Sequence, residues 1–117
     1  MNRIRQVRVG DRVRDALARA LQEDLRDPRI GFVTITAVDL SNDLRHARVF
    51  VSLMGENAEE RLEILRRATP FFRRTLAARA GLRHTPQLRF EADLTARTAE
   101  RMERIFEELE PGDDESP

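Results

Sequence analysis

Two neighbouring runs of alternating residues limit the fold of this chain most strongly. Residues 32–40 and 45–54 are rich in β-branched side chains and alternate with a period of two, a pattern typical of half-buried strands. The short polar side chains of Ser41, Asn42 and Asp43 lie between the runs and stabilise turns by bonding to nearby backbone. The pattern therefore predicts an antiparallel hairpin. One face of its second strand is expected to point into the core, with Ala47, Val49, Val51 and Leu53, and the other face to carry His46, Arg48, Phe50 and Ser52.

Helical patterns flank this hairpin on both sides. Apolar residues recur every three or four positions over about residues 5–26, which predicts an amphipathic helix. Asp27-Pro28 is expected to end this helix, because proline disfavours the helical conformation of the residue before it. A second helical pattern covers about residues 58–80, and Gly81 stands where a helix-terminating glycine is expected.

Pro70 lies inside the second helical pattern. A proline within a helix removes one backbone hydrogen bond and clashes with the preceding turn. The sequence therefore predicts two helices that meet at a kink formed by Ala68, Thr69 and Pro70.

The C-terminal part of the chain adds one more strand and one more helix. Residues 88–92 alternate and predict a short strand, and an apolar stripe predicts a helix over about residues 95–110. Residues 111–117 are acidic and unpatterned, which is typical of a disordered tail. The order helix, strand, strand, helix, kink, helix, strand, helix predicts one α+β domain over residues 1–110, with a three-stranded sheet covered by helices on one face.

The chain is neutral overall, but its charges are separated along the sequence. Residues 61–90 contain eight arginines and one carboxylate, Glu63, whereas residues 91–117 contain ten carboxylates and three arginines. A segment near +7 followed by a segment near −7 favours a polyanionic partner at one place on the surface. All 21 basic residues are arginine, whose guanidinium group binds phosphate through two hydrogen bonds.

Composition and motifs argue against several classes of function. The chain has no cysteine, so disulfides and thiolate sites are excluded and a cytoplasmic location is expected. It has no apolar stretch long enough for a membrane span or a signal peptide. His46 and His84 have no Asp, Glu or His beside them at ligand spacing, and no phosphate-loop, dinucleotide or zinc motif is present. We therefore expect no catalytic activity, no metal, no cofactor and no small-molecule substrate.

An ordered series of short motifs resembles a known family. The series begins with Asp27-Pro28-Arg29-Ile30-Gly31, Val33-Thr34 and Thr36-x-Val38, continues with Ser41-x-Asp43-Leu44-x-x-Ala47-x-Val49-x-Val51-Ser52, and ends with Phe71-x-Arg73, Leu82-Arg83-x-x-Pro86-x-Leu88-x-Phe90 and Asp93. No single motif is diagnostic, but their order over about residues 6–107 is specific. On these residues the chain is similar to the ribosome-binding factor A family of bacterial small-subunit maturation factors.

The resemblance implies a fold like that of a type II K-homology domain, without its G-x-x-G loop. It also implies binding to ribosomal RNA of the small (30S) subunit during late assembly, and no catalysis. Members of the family carry Ala-x-Gly at the kink between the helices, whereas this chain has Ala68-Thr69-Pro70. Because proline bends a helix by a different route, the kink is expected here as well.

The arginine cluster supplies the candidate RNA-binding residues, which are Arg66, Arg67, Arg73, Arg74, Arg79 and Arg83, with Arg29 in addition. Arg66 and Arg73 are seven residues apart, as are Arg67 and Arg74, so on a continuous helix each pair lies on one face and can contact successive phosphates. The alternative is a solvated face with arginines paired to acids of the C-terminal helix. Arg29 either contacts RNA or ties down its loop, and Arg83 either binds phosphate or caps the preceding helix.

The aromatic residues are mainly predicted to be core. Phe71, Phe72, Phe90 and Phe106 lie at apolar-face spacing or beside helix joints and are expected to pack inside the domain rather than to stack on bases. Phe50 is placed on the outer face of the sheet, where it either stacks on a base or is covered by a cross-strand neighbour.

Two functions from different classes remain open at this point. The first is a non-catalytic RNA-binding assembly factor that docks as a monomer on the small ribosomal subunit. The second is a protein interaction module whose arginines bind an acidic partner. The acidic segment from Glu100 to Glu115 either competes with RNA for the arginines or serves as a solubilising tail.

Overall fold

The part of the chain that the structure describes contains both helices and strands. The computed structural model describes residues 3–25 and 27–94. In chain order its elements are α1 (Arg3–Arg19), β1 (Val33–Leu40), β2 (His46–Leu53), α2 (Ala58–Arg67), α3 (Thr69–Arg79) and β3 (Gln87–Ala92). This order confirms the predicted α+β fold over these residues. The helix expected over residues 95–110, with Phe106, and the tail expected over residues 111–117 lie outside the described residues.

The central strand of the three-stranded sheet is β2. It pairs with β1 in antiparallel and with β3 in parallel orientation, in the order β1-β2-β3. The antiparallel pair confirms the predicted hairpin, and the Ser41 amide closes its turn by donating to the His46 carbonyl oxygen at 2.9 Å. Ala47, Val49 and Val51 of β2 are buried beneath the helices while the alternate side chains face away, so one face of the sheet carries the core, as predicted.

A β-bulge at Thr36 interrupts the alternation of β1. Ile35 pairs with Val51 and Ala37 pairs with Phe50, so two steps along β1 correspond to one step along β2. The extra residue changes which side chains point inward: Val33 and Ile35 pack on the core before the bulge, and Val38 and Leu40 pack on it afterwards. This differs from the uninterrupted alternation expected for residues 32–40. A single period of two would have turned Val38 and Leu40 to the outer face.

The core lies between the sheet and the helices that cover it. Val13 and Leu17 of α1, Leu65 of α2, Leu76 of α3 and Phe72 are fully buried. Phe72 also packs against Phe71 and Phe90, with ring centroids 5.3 Å and 5.2 Å away. These contacts confirm the predicted core role of the three phenylalanines. Burying one such ring contributes about 1.5–3 kcal/mol, so the helices are held firmly on one face of the sheet.

The end of the first helix differs from the prediction. The α-helical part ends at Arg19, and Ala20–Asp24 continue as a π-helical turn. The turn closes when the Leu25 amide donates to the Ala20 carbonyl oxygen at 2.8 Å, after which Leu25 is extended. The helical pattern therefore extends close to the predicted end, but its last turn is wider than an α-helix allows.

The second helical region is two helices that meet at Ala68, as predicted. Ala68 has φ −87° and ψ 6°, outside the dihedral angles of a regular helix. Its amide donates to the carbonyl oxygens of Ile64 and Leu65, and its own carbonyl accepts from the Phe72 amide at 3.1 Å. Pro70 lies in the first turn of α3, where an amide hydrogen has no partner within the helix. The bend thus places proline at a position that tolerates it.

We expect the Pro70→Gly variant to fold and to lose only about 0.5–1 kcal/mol in free energy of unfolding. Proline in the first turn costs no hydrogen bond, and its ring holds φ near the helical value even in the unfolded chain. Glycine removes this restriction, so the unfolded chain gains conformational entropy and the folded state becomes less stable. Urea denaturation of both proteins measures the difference. A loss of several kcal/mol would show that the bend itself depends on the proline ring.

Candidate nucleic-acid interface

Arg61, the first arginine of the cluster, is a structural residue. It has 8% of its surface exposed, and its guanidinium group donates to the carbonyl oxygens of Ile30 at 2.6 Å, Phe32 at 2.7 Å, Met54 at 2.7 Å and Glu56 at 3.2 Å. These oxygens belong to the loop before β1 and the loop after β2. Arg61 therefore joins α2 to the open end of the hairpin, where β1 begins and β2 ends, and does not face a partner.

Gly31 makes room for this buried guanidinium group. Its φ of +72° is a conformation that favours glycine, and a Cβ at this position would lie 3.2 Å from Arg61 Nε. The neighbouring Ile30 is buried in the core. Ile30 and Gly31, the last two residues of the Asp27-Pro28-Arg29-Ile30-Gly31 motif, thus help to form the site in which the Arg61 guanidinium group is buried.

Arg66 and Arg73 hold the kinked helices against the edge strand. Arg66 Nε donates to the Phe90 carbonyl oxygen at 3.0 Å. Arg73 donates from Nε to the Pro86 oxygen at 3.1 Å and from Nη2 to the Thr85 oxygen at 3.0 Å. Since β3 is an edge strand, these bonds satisfy carbonyl groups at the margin of the sheet. Both predicted RNA-binding arginines therefore also have a structural function, although Arg66 remains exposed.

Three exposed members of the predicted set, Arg67, Arg74 and Arg83, form no hydrogen bonds of the kind described for Arg66 and Arg73 within the described residues. Within residues 3–25 and 27–94 none of the three forms an ion pair. Arg79, by contrast, lies 3.6 Å from Glu23 of the π-helical turn. The acids of the predicted C-terminal helix, with which these arginines were alternatively expected to pair, lie outside the described residues. The structure thus presents positive charge on both kinked helices and just beyond them.

Arg29 is held by the carboxylate of Asp27. Its guanidinium group donates from Nε to Oδ1 at 3.0 Å and from Nη2 to Oδ2 at 2.6 Å, and its amide donates to Oδ1 at 3.0 Å. The side-chain hydrogen bonds from Arg29, followed by that from its amide, lower the pKa of Asp27 to about 2. Arg29 therefore ties down the loop after α1, and its role in RNA binding stays a prediction.

The Asp27–Arg29 contact makes the stability of the fold sensitive to acid. Because the pKa of Asp27 is about 2 in the folded chain against 3.8 ordinarily, its stabilising contribution is complete above pH 3.8 and is lost as the pH falls towards 2. In denaturation curves recorded from pH 6 to pH 2, we expect Asp27→Asn to unfold more easily than the wild type at pH 6 and to approach it at pH 2. A constant difference across this range would contradict the contact.

Arg48 covers the aromatic ring on the outer face of the sheet. It donates from Nε and Nη2 to the two carboxylate oxygens of Glu91 at 3.1 Å and 2.8 Å, and its guanidinium carbon lies 5.1 Å from the centroid of the Phe50 ring. The hydrogen bond from Arg48 lowers the pKa of Glu91. Phe50 is therefore covered by a neighbouring side chain, here one on its own strand, and is not presented as a base-stacking platform.

Arg12 performs the capping role that was considered for Arg83. Its Nη2 donates to the carbonyl oxygens of Ala80 at 2.6 Å and Gly81 at 3.3 Å, where α3 ends in a glycine with φ +66°. A cation at the C-terminal end of a helix also stabilises the helix dipole. Gly81 thus terminates α3 as predicted, and Arg83 is not needed for that purpose.

The structural roles of Arg12 and Arg61 were not predicted, and only that of Arg61 had a signal in the sequence. Arg61 precedes Leu65 by four residues and Phe72 by eleven, which is the spacing of the buried helical face. That spacing was available in the sequence. The role of Arg12 depends on a contact between residues 68 positions apart, for which the local sequence carries no signal.

Comparisons with known proteins agree with the series of motifs. A family model, Ribosome-binding factor A, matches residues 5–106. Ribosome-binding factor A of Thermomicrobium roseum is 43% identical over 108 residues, which cover 91% of this chain and 84% of the relative. None of the described helices is long and apolar enough to cross a membrane.

A crystal structure and a fitted homology model share the fold. The crystal structure of ribosome-binding factor A from Thermus thermophilus matches with a TM-score of 0.68 at 33% identity, over 74% of this chain and 94% of that one. A homology model of the Thermus thermophilus factor, fitted into the cryo-EM map of a 30S–RbfA complex, matches with a TM-score of 0.67 at 32% identity, over 77% of this chain and 97% of that one. Sequence, fold and ordered motifs therefore lead to one conclusion, that the chain belongs to the ribosome-binding factor A family.

Proposed function

We propose that this chain is a non-catalytic RNA-binding assembly factor that associates with free small (30S) ribosomal subunits. It acts in the cytoplasm as a monomer, without a cofactor, and assists late maturation and processing of 16S rRNA. The observation that carries the proposal is the set of exposed guanidinium groups of Arg67, Arg74 and Arg83, which have no ion pair within the described residues. The family membership supports the choice of a ribosomal partner, since a Thermus thermophilus relative was fitted into the map of a 30S complex.

Phosphate binding by arginine provides the physical basis of this function. A guanidinium group presents two parallel donors that match two oxygens of a phosphate. Arg67 ends α2, Arg74 lies in α3 beyond the kink, and Arg83 follows α3, so the three guanidinium groups offer binding to separate phosphates of a folded RNA. Arg66, Arg73, Arg79 and Arg29 add to the field around them while they hold their own structural partners.

The number of phosphates contacted sets the salt dependence of binding. Each phosphate neutralised on a duplex contributes about 0.9 to the slope of log affinity against log salt. Three arginines therefore predict a slope of about −3, and participation of Arg66 and Arg79 steepens it to between about −4 and −5. A slope shallower than about −1 would contradict binding through arginines and phosphates.

Sedimentation of cell extract through a sucrose gradient tests the proposed partner. The protein, followed by antibody, is expected to migrate with free small subunits at low salt and to leave them at high salt. Treatment with nuclease should abolish the association. If the protein stays at the top of the gradient at every salt concentration, the proposed function is wrong. An association that survives nuclease would instead favour an acidic protein partner.

A further inference from the structure

A basic cleft lies at the end of the molecule where the hairpin turn meets the first helix. It has a volume of about 720 Å³. Its walls come from three separate parts of the chain: the first half of α1, the hairpin turn at residues 42–44, and residues 81–84, which follow α3. The volume corresponds to roughly 24 water molecules, which leaves room for a sugar–phosphate segment rather than for one small ion.

Two polar side chains of α1 fix these walls in place. Gln6 Nε2 donates to the Leu40 carbonyl oxygen and to Asn42 Oδ1, each at 3.1 Å, and so joins α1 to the hairpin turn. Arg12 joins α1 to the end of α3 through the Ala80 and Gly81 carbonyl oxygens. The cleft is therefore formed before any ligand arrives, and a ligand need not pay the entropic cost of assembling it.

The lining of the cleft is strongly basic. Arg5, Arg8 and Arg12 lie on one face of α1, at spacings of three and four residues, and Arg83 lines the cleft from the segment after α3. The acidic residue in the lining, Asp43, is already engaged: its Oδ1 accepts the Ser41 hydroxyl at 2.7 Å and the Arg45 amide at 3.0 Å. The carboxylate therefore stabilises the turn, and it offsets only part of the positive charge around it.

We propose that this cleft binds a sugar–phosphate segment of RNA, as a contact site separate from the arginines of α2 and α3. The inference rests on the proposed function and extends it, because Arg83 belongs both to the exposed arginines and to the cleft lining. Apolar side chains, among them Ile4 and Leu82, also line the cleft and provide contacts for a ribose beside the phosphate. The arginines of α1 bind the phosphate oxygens, and Arg12 also positions the opposite wall.

Charge reversal on α1 tests the cleft without touching α2 or α3. The double variant Arg5→Glu, Arg8→Glu should bind purified small subunits at least about tenfold more weakly than the wild type at low salt, with a slope of log affinity against log salt that is shallower by about 2. The matched control is Arg3→Glu, Arg14→Glu, which makes the same charge change on the same helix at exposed positions outside the cleft. The control should lose less than about threefold. Circular dichroism confirms that each variant is folded.

A titration of the wild-type protein provides a second test that needs no substitution. On addition of a twelve-nucleotide single-stranded RNA, the amide resonances of Asn42, Leu44 and residues 82–84 are expected to shift in the nuclear magnetic resonance spectrum. Shifts confined to α2 and α3 would overturn the cleft proposal.

The outcomes separate the two proposals. If the wild type does not bind small subunits, the proposed function is wrong and the cleft assignment falls with it. If the wild type binds and the Arg5, Arg8 variant binds equally well, or no more weakly than its control, the cleft alone is overturned. Selective loss in the Arg5, Arg8 variant, with amide shifts around the cleft, supports both.

Discussion

Replacing Arg61 by methionine is expected to lower the free energy of unfolding by about 3 kcal/mol. The buried guanidinium group donates to four carbonyl oxygens, those of Ile30, Phe32, Met54 and Glu56. Methionine has a similar length but no donor, so the variant leaves these carbonyls without their partner and frees α2 from the open end of the hairpin. Urea denaturation measures the loss.

Two further variants show whether the loss comes from these hydrogen bonds. Arg67→Met removes a neighbouring exposed arginine and should change stability by no more than about 0.5 kcal/mol. Arg61→Lys keeps the charge but presents its donors from a single point, so it should recover only part of the loss. If Arg61→Met unfolds like the wild type, the four hydrogen bonds of Arg61 do not stabilise the fold and the interpretation of Gly31 fails as well.

Reversing the charge of Arg67 and Arg74 together is expected to weaken binding to small subunits about 100-fold at low salt. The variant Arg67→Glu, Arg74→Glu removes two phosphate contacts and replaces them with repulsion. Because both side chains are exposed, the free energy of unfolding should change by less than about 0.5 kcal/mol for each substitution. Co-sedimentation with purified subunits over a range of salt concentrations measures the affinity and its slope.

The choice of these two residues follows from the structure. A reversal that includes Arg73 also removes its hydrogen bonds to Thr85 and Pro86, so weakened binding would have two explanations. The Arg3→Glu, Arg14→Glu variant again serves as the control for net charge. An affinity of the Arg67, Arg74 variant equal to that of the control would show that RNA is not bound by the arginines of α2 and α3.

Local patterns predicted the elements of this fold well. The hairpin, the inward residues of β2, the kink at Ala68 and the termination of α3 at Gly81 each depend on residues close together in sequence, through alternation, turn chemistry or proline geometry. The bulge at Thr36 was not predicted. The side chains of β1 are nearly all apolar or small, so the pattern alone gives two acceptable registers, and the partner strand selects between them.

The candidate site was predicted less completely than the fold. Arg61 and Arg67 are the same residue type on the same helix, yet the first is buried under four carbonyl oxygens and the second is exposed. A count of charges does not distinguish them. A count of charges also does not predict that Arg5 and Arg8 line a basic cleft. That cleft forms only where the hairpin turn and the segment after α3 meet α1.

By itself the sequence determined the order of helices and strands, the bend between α2 and α3, the excess of positive charge on residues 61–90, and the family. These depend on local backbone preferences and on the periodicity of side chains, which the chain carries wherever it lies in space. Only the tertiary structure decided that β3 lies parallel to β2, that Arg12, Arg61, Arg66 and Arg73 hold backbone carbonyls, and that Arg67, Arg74 and Arg83 are left exposed. The reason is that a guanidinium group becomes structural or free according to which unpaired carbonyls the fold brings within reach of it, and that depends on residues distant in sequence.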